Sequence, residues 1–241
     1  MKLEINPELI INVVEIADGF NCVFIDQFLL NPRDLVDYAS THADEFITPQ
    51  SAYPGVVLPV DNEWAATLNR FIRLEMSRLF SFCRGGIEFH SQFSLTTLKP
   101  EQLTWEQRLC KNDPSPESGR KIYAALLYLF DKPELGGTGF YRWKDQPFWE
   151  KFTSVQRDDP DTGLDILRER FQMFRDLPCY MTESNEAAVL LDKAPAKFNR
   201  LVFYSGDLPH SAYISRPELL SPDPSTGRLT LNNFASVWPK K

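Results

Sequence analysis

The chain has 241 residues, of which 43% are hydrophobic and 13% aromatic, so a sizeable core is available and wholesale disorder does not fit. Its formal net charge of −7 and pI near 5.1 have the wrong sign for a non-specific nucleic-acid surface. No apolar run approaches the roughly 18 to 20 residues that span a bilayer. The N-terminus lacks the basic head and long apolar stretch of a signal peptide, and the four scattered cysteines form no Cys-x-x-Cys pair. These features predict reduced thiols in a cytoplasm, each cysteine serving as a small buried apolar residue.

Leu9 to Leu30 is rich in β-branched and aromatic residues and is broken by Asp18-Gly19, which predicts two strands, as in a hairpin. Asn31-Pro32 then gives a cap followed by proline at the first helical position, and the helix is expected to run to about Phe46. Residues 47–60 hold Pro49, Pro54, Gly55 and Pro59 and read as a loop. From Asp61 to Phe82 the positions Trp64, Leu68, Phe71, Ile72, Met76, Leu79 and Phe80 recur at helical spacing, the stripe of a helix packed on a sheet.

From Ile87 the texture changes to short apolar runs bounded by turn residues: 87–98, 103–110, 121–130, 138–143, 188–191, 200–205, 211–215 and 227–237. That regularity predicts an all-β sandwich or barrel. Residues 122–130 are almost continuously apolar, as in a strand covered on both faces. A charged insertion, 144–186, shows one helix at Leu164–Phe174 and no core pattern of its own. With no repeat and no linker, residues 1–241 read as one domain. Its β core spans about 87–237, and its N-terminal strands and supporting helices span about 9–82.

Three histidines, His42, His90 and His210, limit any metal site sharply. His42 sits in a His-Ala-Asp-Glu helical context and reads as surface. The chemistry-bearing segments are Cys110-Lys111-Asn112-Asp113-Pro114, then Leu135-Gly136-Gly137-Thr138-Gly139-Phe140-Tyr141-Arg142. Further on come Phe198-Asn199-Arg200-Leu201, Asp207-Leu208-Pro209-His210-Ser211 and Gly227-Arg228-Leu229-Thr230-Leu231-Asn232. Read singly, Asp113 before Pro114 is equally a turn residue, His210 a loop histidine and Arg228 a solvated charge at a strand start. Phe140, Tyr141, Trp143, Phe148 and Trp149 either line a mouth or pack inside.

In their order, these segments resemble the Fe(II)/2-oxoglutarate-dependent oxygenases of the prolyl-hydroxylase-like branch, and within it an uncharacterised bacterial subfamily. The resemblance covers about residues 90–237, with a weaker likeness at Tyr53-Pro54-Gly55. It implies a mostly β fold with helices: a double-stranded β-helix, or cupin-like jelly roll, with helices on one sheet. It implies Asp113 and His210 as Fe(II) ligands, Arg228 as the clamp on the remote carboxylate of 2-oxoglutarate, and Tyr128 beside that carboxylate. Hydroxylation of a small-molecule or protein substrate would be the activity, with no nucleic acid or membrane involved and a homodimer left open.

One residue departs from the pattern. The family places histidine two positions before the aspartate, on the same face of a strand, whereas this chain has Lys111. An ammonium has three donors and no lone pair for a metal; it would instead pair with Asp113. Cys110 should point to the opposite face, and His90 could help only if its strand approached the site. Three readings stand: an oxygenase with a degenerate triad, a pseudo-oxygenase binding a small carboxylate or a protein, and a cupin-like sandwich with another role. The scarcity of histidine counts against the third.

Overall fold

A computed structural model describes residues 3–17, 19–63, 65–113, 117, 119–158 and 160–240, with side chains described outside 153–162. Asp18, Trp64 and Pro114, which enter the sequence reading above, lie outside the described residues.

The chain opens with β1 (Ile11–Ala17) and β2 (Phe20–Ile25), paired antiparallel as expected of a hairpin. Helix α1 (Pro32–Thr41) follows with Pro32 in its first turn and buries Leu35, Val36 and Ala39. The segment expected to be all loop instead contains β3 (Gly55–Val60). β3 pairs with β4 (Glu88–Thr96) at the edge of the sheet, its outer side bridged by Ile47 at Val57 alone, so Pro59 need not donate to a second neighbour. The helix expected from Asp61 begins later, as α2 (Ala66–Phe71), runs through a π-helical turn (Ile72–Met76) and ends in a last turn, α3 (Ser77–Leu79).

The remaining strands are β5 (Lys121–Tyr128), β6 (Gly137–Trp143), β7 (Ala188–Ala194), β8 (Leu201–Ser205), β9 (His210–Tyr213) and β10 (Arg228–Val237). The run 103–110 forms no strand; Glu106–Arg108 is a single 3₁₀ turn, and pairing begins only at the Lys111–His210 bridge. The large sheet has the order β1-β2-β8-β5-β10-β4-β3, and the small one β7-β6-β9, with Lys111 bridged to the free side of β9.

From β4 onward the chain visits the large sheet, the small sheet at Lys111, the large sheet at β5, the small at β6 and β7, the large at β8, the small at β9 and the large at β10. That alternation winds a double-stranded β-helix, the jelly-roll architecture.

The period of two along each strand sorts side chains between two cores. In β10, Leu229, Leu231, Ala235 and Val237 face the helices, together with Leu127, Phe93 and Phe203 from neighbouring strands. Tyr128, Val202 and Tyr204 turn the other way, into the space between the sheets. β5 is therefore covered on both faces, and every apolar residue in it has somewhere to go.

The insertion carries α4 (Gln146–Asp158) and α5 (Pro160–Arg170), and it has a core after all. Trp149, Phe152, Leu167, Phe171 and Phe174 pack with Leu109 and Ala187. α4 supplies Trp149 and Phe152, one turn apart, and the rest come from α5, the 171–174 segment and two more distant positions, so only part of the cluster shows in any one stretch of sequence. No described helix is long and apolar enough to cross a membrane.

Candidate functional site

The cleft between the sheets has about 750 Å³ of empty volume, its open mouth included, and Lys111, Asp113, His210 and Arg228 all line it. Three backbone features set its metal-side corner. Lys111 and His210 exchange two backbone hydrogen bonds of 2.9 Å, fixing the register between the 111–113 segment and β9. Asp113 donates its N–H to the Gly206 carbonyl at 2.9 Å. A Cβ on Gly206 would stand 2.8 Å from the Asp113 Cβ, so the absent side chain is what lets the carboxylate sit there.

In that corner Lys111 Nζ lies 3.1 Å from Asp113 Oδ1, and His210 Nε2 lies 3.4 Å from Asp113 Oδ2. His210 is buried and the Asp113 side chain is 10% exposed, whereas the Lys111 side chain is 53% exposed and reaches in from the rim. Burial alone would raise the Asp113 carboxyl, but the charges and hydrogen bonds of His210 and Lys111 outweigh it and hold the group well below the usual carboxylate range. His210 Nδ1 is 2.9 Å from the Leu208 carbonyl, which can only accept, so Nδ1 carries a proton. Nε2 faces Asp113 Oδ2 at 3.4 Å: with a proton there the ring supplies the charge and hydrogen bond that lower the carboxyl, and without it a lone pair meets an oxygen that has no other partner. Two acceptors meeting in this way invite a cation or a proton.

The donor set does not complete an iron triad. Two of the three donors such a triad needs are placed together, and the third position holds an ammonium. Among the described residues no group of three or more His, Cys, Asp and Glu side chains is placed to hold a metal ion. His90 is exposed on β4, bonded to Gln92 and outside the cleft lining. Cys110 turns away from the cleft, as the alternation requires, and packs with Tyr141, Met181 and Ala188. Of the four cysteines, Cys22 and Cys110 are buried, Cys83 is half-buried and Cys179 is exposed, so the small-core role holds for two of them.

At the far end of the cleft Arg228 is 2% exposed. Its Nε donates to the Leu135 carbonyl at 3.1 Å, one terminal nitrogen to the Gly137 carbonyl at 2.7 Å and the other to Thr96 Oγ1 at 3.2 Å. The Leu135-Gly136-Gly137 turn thus supplies two of its acceptors. Gly136 is required there: its φ is +80°, and a Cβ would fall 1.7 Å from the Tyr213 carbonyl oxygen. Tyr53 also hydrogen-bonds the guanidinium and bonds Thr96 Oγ1 at 2.8 Å, and burial pushes its phenol up, so it stays neutral. No carboxylate among the described residues pairs with Arg228.

Tyr128 stands one layer behind the cleft wall, its hydroxyl 2.8 Å from Thr138 Oγ1, and Thr138 is the residue that faces the space. Burial pushes the Tyr128 phenol up to about 12, so it acts as a neutral partner that orients Thr138. Sequence reasoning missed Thr138, Thr230, Asn232 and Tyr204 as lining residues, and gave Tyr53 only a weak likeness. A signal was available in β10, where Arg228, Thr230 and Asn232 alternate with leucines and mark a polar face. The aromatic group divides: Phe140 and Tyr141 are fully buried, Phe148 packs against the insertion core, and Trp143 and Trp149 line a separate outer cleft.

Among curated proteins, none matches the chain in sequence. The solved structures to which the chain is similar include the following two. EvdO2 from Micromonospora carbonacea var. aurantiaca is 9% identical over 95% of this chain and 93% of its own, with a TM-score of 0.49. HygX from Streptomyces hygroscopicus, solved with nickel, 2-oxoglutarate and hygromycin B bound, is 12% identical over 92% of this chain and 83% of its own, with a TM-score of 0.46. The model of DUF6445, a family of unknown function, matches residues 7–235, nearly the whole chain, and the chain belongs to that family.

Proposed function

We propose that this domain binds a small dicarboxylate of the 2-oxoglutarate class in an oxygenase-like jelly roll, and does so without a metal. The observation that carries the reading is Arg228: a buried guanidinium whose partners are two carbonyls, a hydroxyl and a neutral phenol. Burying a cation without a counter-charge costs several kcal/mol in general. Those acceptors of Arg228 take four of the five guanidinium N–H donors, so one donor and the positive charge remain to hold a carboxylate in the cleft. Thr138, Thr230 and Tyr53 offer hydroxyls around the same end.

At the other end, Lys111 has donors left over after Asp113 takes one. It presents positive charge where the family pattern would place a metal ligand. A ligand with two acidic ends thus meets a cation at each, while Leu126, Tyr204 and Phe234 form an apolar wall between them. Asp113 keeps the ammonium in place, and His210 braces the second oxygen of Asp113.

Calorimetric titration of chelator-treated protein with 2-oxoglutarate tests this. Saturable binding is expected, and Arg228→Lys, which keeps the charge but loses the fork, should weaken it about 10- to 100-fold, the worth of a charge-assisted hydrogen bond. No binding without metal, or binding indifferent to Arg228→Lys, would overturn the proposal.

A second reading, an Fe(II)/2-oxoglutarate oxygenase working with two protein ligands, is favoured by one observation: His210 Nε2 and Asp113 Oδ2 converge, and the Lys111 beside them is half-exposed. Anaerobic Fe(II) titration with 2-oxoglutarate decides it. A visible charge-transfer band in the wild-type protein would support this reading, and its absence would remove it.

A further inference from the structure

Along β10, Arg228, Thr230, Asn232 and Phe234 turn the same way and line the cleft between the sheets. Register places Asn232 partway along that wall. Phe234 pairs with Ala124, Ala124 pairs with Tyr204, and the Tyr204 ring meets the His210 ring edge-on, 4.9 Å between centroids. Asn232 therefore falls between the Arg228 end and the His210–Asp113 corner, beside the middle of any ligand that joins the two. Leu126, its partner across the ladder, and Phe234, the next residue on its own face, are apolar.

The Asn232 amide is used at one end only. A hydrogen-bonded row runs along β4 beside it: His90 Nε2 lies 3.1 Å from Gln92 Oε1, Gln92 Nε2 donates to Ser94 Oγ at 3.2 Å, and Asn232 Nδ2 donates to the same hydroxyl at 3.1 Å. With Gln92 Oε1 facing the imidazole, its amide nitrogen is turned toward Ser94, whose oxygen receives both N–H groups. The row takes the nitrogen end of Asn232 and leaves the oxygen. Asn232 is 6% exposed, and its Oδ1 is buried without a hydrogen-bond partner among the described residues. Leaving a buried carbonyl unpaired is costly in general, and native folds pair nearly all of them.

A lone neutral acceptor on an apolar stretch of wall selects for a donor without selecting for charge. A hydroxyl brings one proton and matches one acceptor. An ammonium would bring three donors, and a third positive charge to a cleft that already holds Arg228 and Lys111. A keto oxygen would set lone pair against lone pair. We infer that the ligand is a hydroxydicarboxylate, its hydroxyl donating to Asn232 Oδ1 while Arg228 and Lys111 hold its acid ends. This rests on the dicarboxylate reading and narrows it: Asn232 is the specificity-determining residue that tells a hydroxy diacid from a keto or unsubstituted one.

The test is calorimetric titration of the chelator-treated full chain with glutarate, 2-oxoglutarate, L-glutamate and the 2- and 3-hydroxyglutarates. The better hydroxyglutarate should bind about tenfold tighter than glutarate, the worth of one hydrogen bond to a buried group, and tighter than the keto and amino diacids. This ranking is read on the unaltered protein and needs no variant. Asn232→Leu, close in volume and unable to accept, should bring the hydroxyglutarate-to-glutarate ratio to about one. Arg228→Lys should weaken every diacid and keep that ratio. If the diacids bind through Arg228 but the hydroxyl brings no gain, Oδ1 holds only a water, and the inference falls while the carboxylate reading stands. A ratio that survives Asn232→Leu, or tightest binding by 2-oxoglutarate or L-glutamate, would overturn it in the same way. No saturable binding of any diacid would overturn both.

Discussion

The corner where Lys111 meets Asp113 can be weighed by a double-mutant cycle of Lys111→Met, Asp113→Asn and the pair. Opposite unit charges 3.1 Å apart attract by about 5 kcal/mol at an effective dielectric constant of about 20. Two effects cut that figure. The Lys111 side chain is 53% exposed, so water screens its charge on one side, and fixing its long side chain costs about 1–2 kcal/mol of rotamer entropy. The Asp113 side chain is only 10% exposed, which keeps the pair above an ordinary surface bridge.

The expected coupling is about 1–2 kcal/mol, more than the few tenths common on open surfaces. Urea unfolding of the four proteins at neutral pH and moderate salt measures it. Each single change also disturbs His210 or the rim, and the cycle cancels those contributions. A coupling under about 0.3 kcal/mol would refute the reasoning: Lys111 would then be a solvated rim charge, and its closeness to the carboxylate would carry no weight.

Other consequences are as direct. Lys111→His would place a third donor beside Asp113 and His210, so the variant should take up Co(II) with a visible absorption band that the wild type lacks; a colourless variant would show that the segment cannot form a triad. Gly136→Ala should cost more than about 2 kcal/mol in urea unfolding, since it forces a side chain into a glycine-only conformation and against the Tyr213 carbonyl; a loss under about 0.5 kcal/mol would contradict the described turn. Asp26 is held at about 2 by the Arg200 hydrogen bond, against some burial, with Lys197 adding to it. A depressed folded value means stability present above the unfolded value of about 3.9 and lost as pH falls toward 2. Asp26→Asn should therefore cost about 1 kcal/mol at pH 7, discounted for a partly exposed group, and the gap to wild type should narrow below pH 4; a gap independent of pH would assign the loss to packing.

The jelly roll was legible where strands are covered on both faces and end in turn residues. Residues 121–130 could be read because almost every side chain there is buried by one core or the other. β3 was not, because its proline and glycine are breakers in any interior strand and harmless only at an edge, and edge position is a fact of the whole sheet. The run 103–110 failed for the opposite reason. Its apolar residues Leu103, Trp105 and Leu109 serve two different cores and carry no shared strand face.

The site shows a similar division between local and distant information. Asp113, His210 and Arg228 could be placed by their order along the chain, and the fold brings them to one cleft. Tyr128 and Thr138 are ten residues apart and bonded to each other between the sheets, yet only the threonine lines the cleft, a distinction of depth that no local pattern carries. Lys111 is the sharpest case. Its identity alone departs from the ligand pattern the resemblance implies, but its role depends on facts that only assembly supplies. It enters from the rim, Gly206 makes room for Asp113, and Arg228 lies buried in the same cleft with no acid of its own among the described residues. A lost ligand would by itself suggest decay. A cation at that position, opposite a second cation that still lacks a counter-charge, gives a cleft whose charge can be balanced by a ligand with two acidic ends.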